Sequence, residues 1–237
     1  MKKYLNGKWY FKEVGTQYWY DADVPGCNFL DLMENGKISD PFIGLNEDKV
    51  AWVGERDWEY RKTFFIREKA QNYNDILLNC DMLDTICDVF INGKLLFKGN
   101  NCFKAYSYSI KDFVNVGENE LRIIFYSPVK YVSKKYEQSP TPVNSNGQNG
   151  IVHIRKPQCH FGWDWGPVLP CSGITRDISL EFVEDGRINY LSVTQNHGDD
   201  VTVSVNADIT LYNNEAECFI TLEGPDGEVY QHWGNSC

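Results

Sequence analysis

Apolar and polar residues alternate in short runs along most of the chain. In residues 58–66, apolar or aromatic side chains stand at positions 58, 60, 64 and 66, the two-residue period of a strand with one buried face. Further short apolar runs cover residues 9–14, 76–78, 86–91, 94–97, 120–126 and 178–182. Many short strands separated by turn residues predict an all-β fold, a sandwich or jelly roll.

The clearest turn signal is Asn92-Gly93, which stands between the runs at 86–91 and 94–97. Both residues tolerate the positive φ that a two-residue hairpin loop requires. The pair therefore predicts a β-hairpin at this point of the chain.

Helical periodicity is scarce, and residues 28–36 are the exception. Asn28 can serve as an N-cap, three apolar residues that follow it share one helix face, and an Asn-Gly pair ends the segment. We expect one short helix here. Residues 127–170 show neither period and are rich in proline, so we expect irregular structure there, flexible at 141–149 and ordered in the aromatic stretch that follows.

A domain boundary is predicted near Glu184-Asp185-Gly186, which divides the chain into residues 1–186 and 187–237. Beyond it, the alternation in residues 201–211 and the turn at 224–227 predict three or four strands, about half of an immunoglobulin-like sandwich. Half a sandwich leaves its core face and its strand edges uncovered. We therefore expect the second domain to be incomplete in this chain.

The charge balance argues against two classes of partner. The 33 acidic residues outnumber the 23 Lys and Arg, for a net charge of -10, and the basic residues form no run. Nucleic acids and anionic membrane surfaces attract concentrated basic patches, so neither is expected as a partner. No apolar stretch approaches the roughly 20 residues that span a bilayer.

The cysteine pattern is typical of a reduced protein. The 8 Cys are scattered without a C-x-x-C pair, and no Asn-x-Ser/Thr glycosylation site occurs. Lys2 and Lys3 lack the apolar stretch that would follow them in a signal peptide. The sequence thus predicts a cytoplasmic protein.

The most distinctive segment is residues 155–167, in which Trp163 and Trp165 flank Asp164 between glycines and prolines. An indole face can stack on the C–H side of a sugar, and a carboxylate accepts hydrogen bonds from hydroxyls. In an extended strand the two rings would face one way and Asp164 the other, whereas in a turn all three could line one concavity. The segment indicates either a hexose-binding device or aromatic packing in the core or between domains.

Cys159, His160 and Cys171 raise the question of a metal. Their spacing matches no standard zinc site, and a histidine in such a segment also fits a purely structural role. We predict neither a metal site nor a cofactor.

Several motifs resemble, in order and spacing, the beginning of the β-mannosidases of glycoside hydrolase family 2. The similar segments are residues 24–27, 31–36, 40–47, 52–61, 83–86, 92–93, 127–132 and 160–167. The resemblance covers about residues 4 to 183. Gly173-Ile174-Thr175-Arg176 departs from it, since the family commonly has Gly-Ile-Trp-Arg at this place.

The resemblance implies a jelly-roll, galactose-binding-like domain, then an immunoglobulin-like domain and a (β/α)8 barrel that hydrolyses terminal β-mannosides with retention. It further implies that Asp164 reaches the sugar pocket of the barrel and that Trp163 forms part of the pocket wall. His160 and Trp165 are carried over as supporting residues.

The chain is not expected to hydrolyse glycosides alone. Retaining hydrolysis needs two carboxyl groups about 5–5.5 Å apart, and the aromatic motif contains one. Glu47, Glu55 and Asp57 stand in a loop-like segment and are expected to be solvated or turn residues. The resemblance implies that the catalytic glutamates belong to the barrel; the alternative is a stand-alone carbohydrate-binding or structural module.

Overall fold

The computed structural model describes residues 1–142, 148–213 and 218–234, without the side chains of residues 71, 218 and 231–234. Most of the segment predicted to be flexible, residues 143–147, and Cys237 lie outside the described residues. Two compact units are distinguished, residues 1–71 with 75–182, and residues 72–74 with those from 183 onward.

Strands account for most of the regular structure of the first unit, which confirms the all-β fold expected from the sequence. The strands are β1 (Lys2–Tyr4), β2 (Gly7–Glu13), β3 (Tyr20–Val24), β4 (Trp58–Ile66), β5 (Asp75–Cys80), β6 (Leu83–Asp84), β7 (Cys87–Ile91), β8 (Lys94–Gly99), β9 (Tyr106–Ser109), β10 (Gly117–Phe125), β11 (Phe161–Trp163), β12 (Gly166–Val168), β13 (Gly173–Ile174) and β14 (Ile178–Val183). One sheet has the order β3-β2-β4-β10-β7-β8 and another the order β1-β14-β5-β9, while β6 pairs with β13 and β11 with β12.

The core follows from the two-residue period of the central strands. Trp58 and Tyr60 of β4 are buried, as are alternate residues of β10 up to Phe125. Phe11 of β2 stacks on Tyr60 with ring centroids 5.5 Å apart, and Tyr60 meets Phe125 edge-on at 5.7 Å. Each such side chain stabilises the fold by about 1.5–3 kcal/mol when it leaves water, so the six-stranded sheet is firmly anchored.

The predicted Asn-Gly hairpin is confirmed. Asn92 and Gly93 connect β7 to β8 with φ angles of 49° and 78°. The Asn92 side chain also accepts a hydrogen bond from the Glu120 backbone N–H and donates one to the Phe113 carbonyl. This asparagine therefore ties the turn to β10 as well as shaping it.

The helix expected near residue 28 forms, but its cap differs from the prediction. Helix α1 spans Asn28–Glu34, and Cys27 is the N-cap residue, with no side-chain cap hydrogen bond. The buried Asn28 side chain instead accepts a hydrogen bond from the Ser172 backbone N–H at 2.9 Å. Asn28 thus links α1 to the strand segment before β13.

The expectation of irregular structure throughout residues 127–170 is wrong at its beginning. A helix of eleven residues, α3, spans Pro128–Gln138. A shorter helix, α2, lies earlier in the chain and spans Asn46–Val50. The Ser127 hydroxyl caps α3 by accepting a hydrogen bond from the Lys130 N–H, and Pro128 occupies the first turn. Serine followed by proline is a helix start signal, which the proline-rich composition of the segment obscured. Four short 3-10 helices complete the helical segments of the described chain, at Ala51–Glu55, Glu68–Asn72, Ile151–His153 and Gln158–His160.

The second unit consists of two antiparallel hairpins in its described part. Strand β15 (Gly186–His197) pairs with β16 (Val201–Leu211), and β17 (Cys218–Glu223) pairs with β18 (Val229–Gly234). As predicted from the sequence, the alternating residues 201–211 form a strand, β16, and residues 224–227 lie in the turn between β17 and β18. Large apolar side chains stay exposed here, including Ile188, Tyr190, Leu191, Val193, Phe219 and Val229.

In neither unit does the described chain contain a helix that is long and apolar enough to cross a membrane.

Candidate functional site

The Trp163-Asp164-Trp165 segment forms the tip of a small hairpin. Phe161 pairs with Val168 and Trp163 with Gly166, so Asp164 and Trp165 are the two residues that connect β11 to β12. Of the two geometries open to the sequence, extended strand or turn, the structure has the turn. The Trp163 and Trp165 side chains are 42% and 73% exposed, and Asp164 is exposed between them.

The base of this hairpin is anchored in a small apolar cluster. Phe161 is 1% exposed and packs with Val132 of α3 and with Ile151 and Ile154, all buried. The helix that the sequence did not reveal therefore supports the first residue of the hairpin. A short β-ribbon is unstable alone, so this packing keeps the exposed tip in place.

Gly162 is required by the backbone of the hairpin. Its φ is +99°, a region that L-residues rarely adopt. A Cβ at this position would lie 2.7 Å from Cγ2 of Val168 on the opposite strand. Gly166 differs, because a Cβ there would meet nothing within 4 Å.

Helix α2 holds the second strand of the hairpin. The Glu47 carboxylate accepts a hydrogen bond from the Val168 backbone N–H at 2.7 Å. The sequence predicts Glu47 to be a solvated or turn residue, and the structure corrects this, since the residue bridges two segments. Asp57 is likewise engaged, accepting a hydrogen bond from the Ser127 N–H at 2.7 Å, whereas Glu55 is exposed as expected.

The Asp164 carboxylate is available to a ligand. None of the residues that the structure describes donates a hydrogen bond to it, and the rings on both sides are only partly covered. A carboxylate has about four acceptor positions, enough for two neighbouring hydroxyl groups. Two indole faces beside one free carboxylate suit a ligand that has an apolar C–H face and several hydroxyls.

A buried ion pair lies at the foot of the same hairpin. Asp84 and Lys156 are 1% and 2% exposed, and the Lys156 ammonium donates hydrogen bonds to Oδ2 of Asp84 and, at 2.8 Å, to the Cys171 carbonyl. The Thr85 hydroxyl donates to the other oxygen, Oδ1, of Asp84. Buried charges are tolerated when they are paired and fully hydrogen-bonded in this manner.

His160 joins this cluster instead of the exposed tip. Its Nδ1 lies 3.8 Å from Oδ2 of Asp84 and 3.5 Å from Sγ of Cys171, and His160 directly precedes β11. Asp84, His160 and Cys171 have donor atoms within 4.8 Å of one another, a set that could in chemical terms suit zinc. The Lys156 ammonium already neutralises Asp84 at that point, so a metal would have to share the carboxylate with a buried cation.

A second buried carboxylate belongs to a residue of α1. Asp31 is 2% exposed and accepts a 2.6 Å hydrogen bond from the hydroxyl of Tyr60. Burial raises the pKa of the Asp31 carboxyl from an ordinary 3.8 to about 6, although the Tyr60 hydrogen bond acts in the opposite direction. The charge of this carboxylate is therefore sensitive to pH near neutrality.

Sequence reasoning did not find the roles of Asp84, Lys156 and Glu47. Asp84 lies in residues 83–86, which carry part of the family resemblance, and Lys156 lies in the aromatic segment 155–167. Neither periodicity nor spacing in the sequence indicates that the two residues form an ion pair. Asp84 and Lys156 are 72 positions apart, and the contact exists only after β6 and β13 have paired. Such a pair has no local signal in one sequence.

One family model matches the chain. It is described as a glycosyl hydrolase 2 galactose-binding domain-like family and covers residues 9–176. The matched range contains both the exposed tip and the buried cluster.

Relatives and solved structures agree with this match. The chain is 37% identical over 184 residues to β-mannosidase B of Emericella nidulans, covering 75% of this chain, and 31% identical over 199 residues to the β-mannosidase of Capra hircus, covering 80%. It spans 22% of the length of each relative. A crystal structure of β-D-mannosidase from Dictyoglomus thermophilum matches 99% of this chain and 29% of that chain, with a TM-score of 0.89 and 34% identity. A β-D-glucuronidase structure from the same organism is 20% identical with a TM-score of 0.62 and shows the fold alone.

Proposed function

The chain belongs to the glycosyl hydrolase 2 galactose-binding domain-like family, and on that premise we propose that it is the sugar-facing part of a retaining exo-β-mannosidase. The observation that carries the proposal is the exposed Asp164 carboxylate, which stands between Trp163 and Trp165 at the tip of an anchored hairpin. The identities of 37% and 31% to the β-mannosidases of Emericella nidulans and Capra hircus support the choice of sugar.

In this proposal Asp164 accepts hydrogen bonds from two neighbouring hydroxyls of a terminal β-mannoside. Trp163, the less exposed of the two rings, packs against the C–H face of the sugar and closes one side of the pocket. Trp165 and His160 support the tip, the first beside Asp164 and the second at the foot of the hairpin. A carboxylate held by a rigid base orients a substrate with little loss of side-chain entropy.

The bond-breaking groups belong to another part of the proposed enzyme. A retaining mechanism uses an acid/base and a nucleophile about 5–5.5 Å apart. Of the three acids that the sequence marks in the loop-like segment, Glu47 is committed to Val168 and Asp57 to Ser127, and Glu55 is exposed. We therefore assign this chain a binding and positioning role, and the two catalytic glutamates to a barrel domain elsewhere in the same protein.

The exposed loop that precedes α2 agrees with a partner domain. Phe42, Ile43 and Leu45, which precede α2, are 72%, 63% and 77% exposed. Clustered exposed apolar side chains are typical of surfaces that another domain covers. This loop is connected to the sugar-facing hairpin through Glu47 of α2.

Activity of the longer enzyme is the test of the proposal. The full-length protein is expected to hydrolyse an aryl β-mannoside much faster than the matching β-glucuronide, and to release the β-anomer first, as seen by proton NMR. The α-anomer as first product would contradict retention, and preference for the glucuronide would contradict the assigned sugar.

A stand-alone binding module is the other candidate, because the tip is already exposed in this chain. Calorimetry of the 237-residue chain with mannose separates the two. We expect binding weaker than millimolar, since the other wall of the pocket is contributed by the barrel. Millimolar or tighter binding would favour the module.

A further inference from the structure

Two cysteine thiols lie in contact next to the buried ion pair. The Cys27 and Cys171 side chains are hydrogen-bonded to each other. Both are partly accessible to solvent, whereas Cys80, Cys87 and Cys102 are buried. A small oxidant in solution can therefore reach this pair in preference to the cysteines of the core.

The backbone holds the two thiols together. Gly26 N–H donates to the Ile174 carbonyl and Asn28 N–H to the Ser172 carbonyl, both at 2.9 Å, and the Asn28 side chain accepts from the Ser172 N–H. A Cβ on Gly173 would lie 2.7 Å from Cα of Cys27, so the two segments approach as closely as a glycine allows. In this register Gly173 faces Cys27 and Cys171 is the diagonal neighbour of Cys27, so the two thiols stay within reach of each other.

The two thiols differ in acidity. The hydrogen bond with Cys171 lowers the pKa of Cys27, with help from the backbone N–H groups of Leu30 and Phe29. The same hydrogen bond, together with burial, raises the pKa of Cys171 well above its ordinary value. Cys27 is therefore the thiol that ionises, and the thiolate is the reactive form of cysteine.

Proton acceptors surround the second thiol. Besides Cys27, the Cys171 sulfur has Nδ1 of His160 at 3.5 Å and Oδ2 of Asp84 at 3.6 Å. The Lys156 ammonium lies 3.9 Å from the same sulfur. A thiol with a base and a cation beside it can lose its proton at the moment when it attacks.

We propose that Cys27 and Cys171 form a redox modification site that hydroperoxides convert into a disulfide. The Cys27 thiolate attacks one peroxide oxygen, the O–O bond breaks and hydroxide leaves, which yields a sulfenic acid. The Cys171 sulfur then attacks the Cys27 sulfur while His160 takes the Cys171 proton and passes it to the departing hydroxyl; the S–O bond breaks and water leaves. In sum, two thiols lose two electrons and two protons, and hydrogen peroxide is reduced to two waters.

The disulfide changes the foot of the sugar-facing hairpin. In the disulfide the Cys171 sulfur can no longer donate a hydrogen bond to Asp84, and it lies beside His160, which directly precedes β11. The redox state of the pair is thus coupled to the segment that carries Asp164. Disulfide formation itself does not depend on the proposed function, so the test below stands whether or not the protein is a mannosidase.

Mass spectrometry of the intact chain after mild treatment with hydrogen peroxide and alkylation of the remaining thiols tests the site. We expect the loss of two alkylatable thiols and a linked peptide pair that contains Cys27 and Cys171, both reversed by dithiothreitol. Cys27→Ser should abolish the link. Cys159→Ser is the matched control, since Cys159 is also partly exposed, and it should leave the link intact.

Three results would overturn the proposal. They are complete alkylation after peroxide treatment, a link that involves a different pair, or a link that persists in Cys27→Ser. NMR signals of the His160 imidazole test the coupling: they should shift on oxidation of the wild type and stay in place in Cys27→Ser, and unchanged signals in a chain with the disulfide would contradict it.

Discussion

The Glu47 carboxylate accepts a hydrogen bond from the Val168 backbone N–H at 2.7 Å, across 121 positions of sequence. This contact connects α2 to β12 and so fixes the strand that returns from the exposed tip. The hairpin is held from both sides, by Phe161 in the apolar cluster and by Glu47. The position of Asp164 therefore depends on residues outside the exposed tip.

Replacing Glu47 should loosen the tip without touching the pocket. We expect Glu47→Ala to raise KM of the full-length enzyme for an aryl β-mannoside roughly fivefold, about 1 kcal/mol for one lost hydrogen bond. Glu55→Ala removes an exposed carboxylate from the same region and serves as the control. Equal effects of the two substitutions would show that the Val168 contact has no positioning role.

Gly162 should be far less tolerant than Gly166. Gly162→Ala forces a side chain into a positive-φ conformation and against Val168, at a cost of about 1–3 kcal/mol. Gly166→Ala meets no neighbour and should cost much less. Urea unfolding of both variants measures the difference, and indistinguishable free energies of unfolding would contradict the hairpin geometry.

Removing the Lys156 ammonium should destabilise the fold strongly. Lys156→Met leaves the Asp84 carboxylate buried without its partner, which typically costs about 3–5 kcal/mol. The double variant Asp84→Asn/Lys156→Met removes both charges and should recover part of the loss. A single variant as stable as the wild type would mean that another group neutralises Asp84.

Asp31 should make stability depend on pH in the mildly acidic range, between about pH 4 and pH 6. Because the pKa is raised from 3.8 to about 6 on folding, the folded state binds the extra proton between these values. The neutral acid thus favours folding at pH 4, and this advantage is lost as the pH rises through about 6, by roughly 3 kcal/mol.

Comparison with Asp31→Asn isolates this contribution. The free energy of unfolding of the wild type, relative to that of the variant, should fall between pH 4 and pH 7 and then level off. A difference that stays flat over this range would show that Asp31 is not desolvated in the folded chain.

Much of the fold could be predicted because its signals are local. The two-residue period marks β4, and Asn92-Gly93 marks the turn between β7 and β8, where positive φ is required. Helix α3 was missed since its Ser127-Pro128 start was outweighed by the prolines that follow. Composition and the family resemblance also singled out the segment around Asp164.

The parts of the site that could not be predicted depend on long-range contacts. Lys156 meets Asp84, and Cys27 meets Cys171, only after distant strands have come together. Equally, the turn at Asp164 and Trp165 closes a hairpin whose first residue, Phe161, packs against Val132 of α3. No periodicity in one sequence carries this information.

The kinetics of Asp164→Asn in the full-length enzyme test the central claim most directly, because the substitution keeps the shape of the side chain and removes its charge. We expect kcat/KM for an aryl β-mannoside to fall about 100-fold, roughly 2.7 kcal/mol. The thermal unfolding midpoint should stay unchanged, since Asp164 is exposed and receives no hydrogen bond from the residues that the structure describes. Wild-type kcat/KM in a folded Asp164→Asn enzyme would contradict the account.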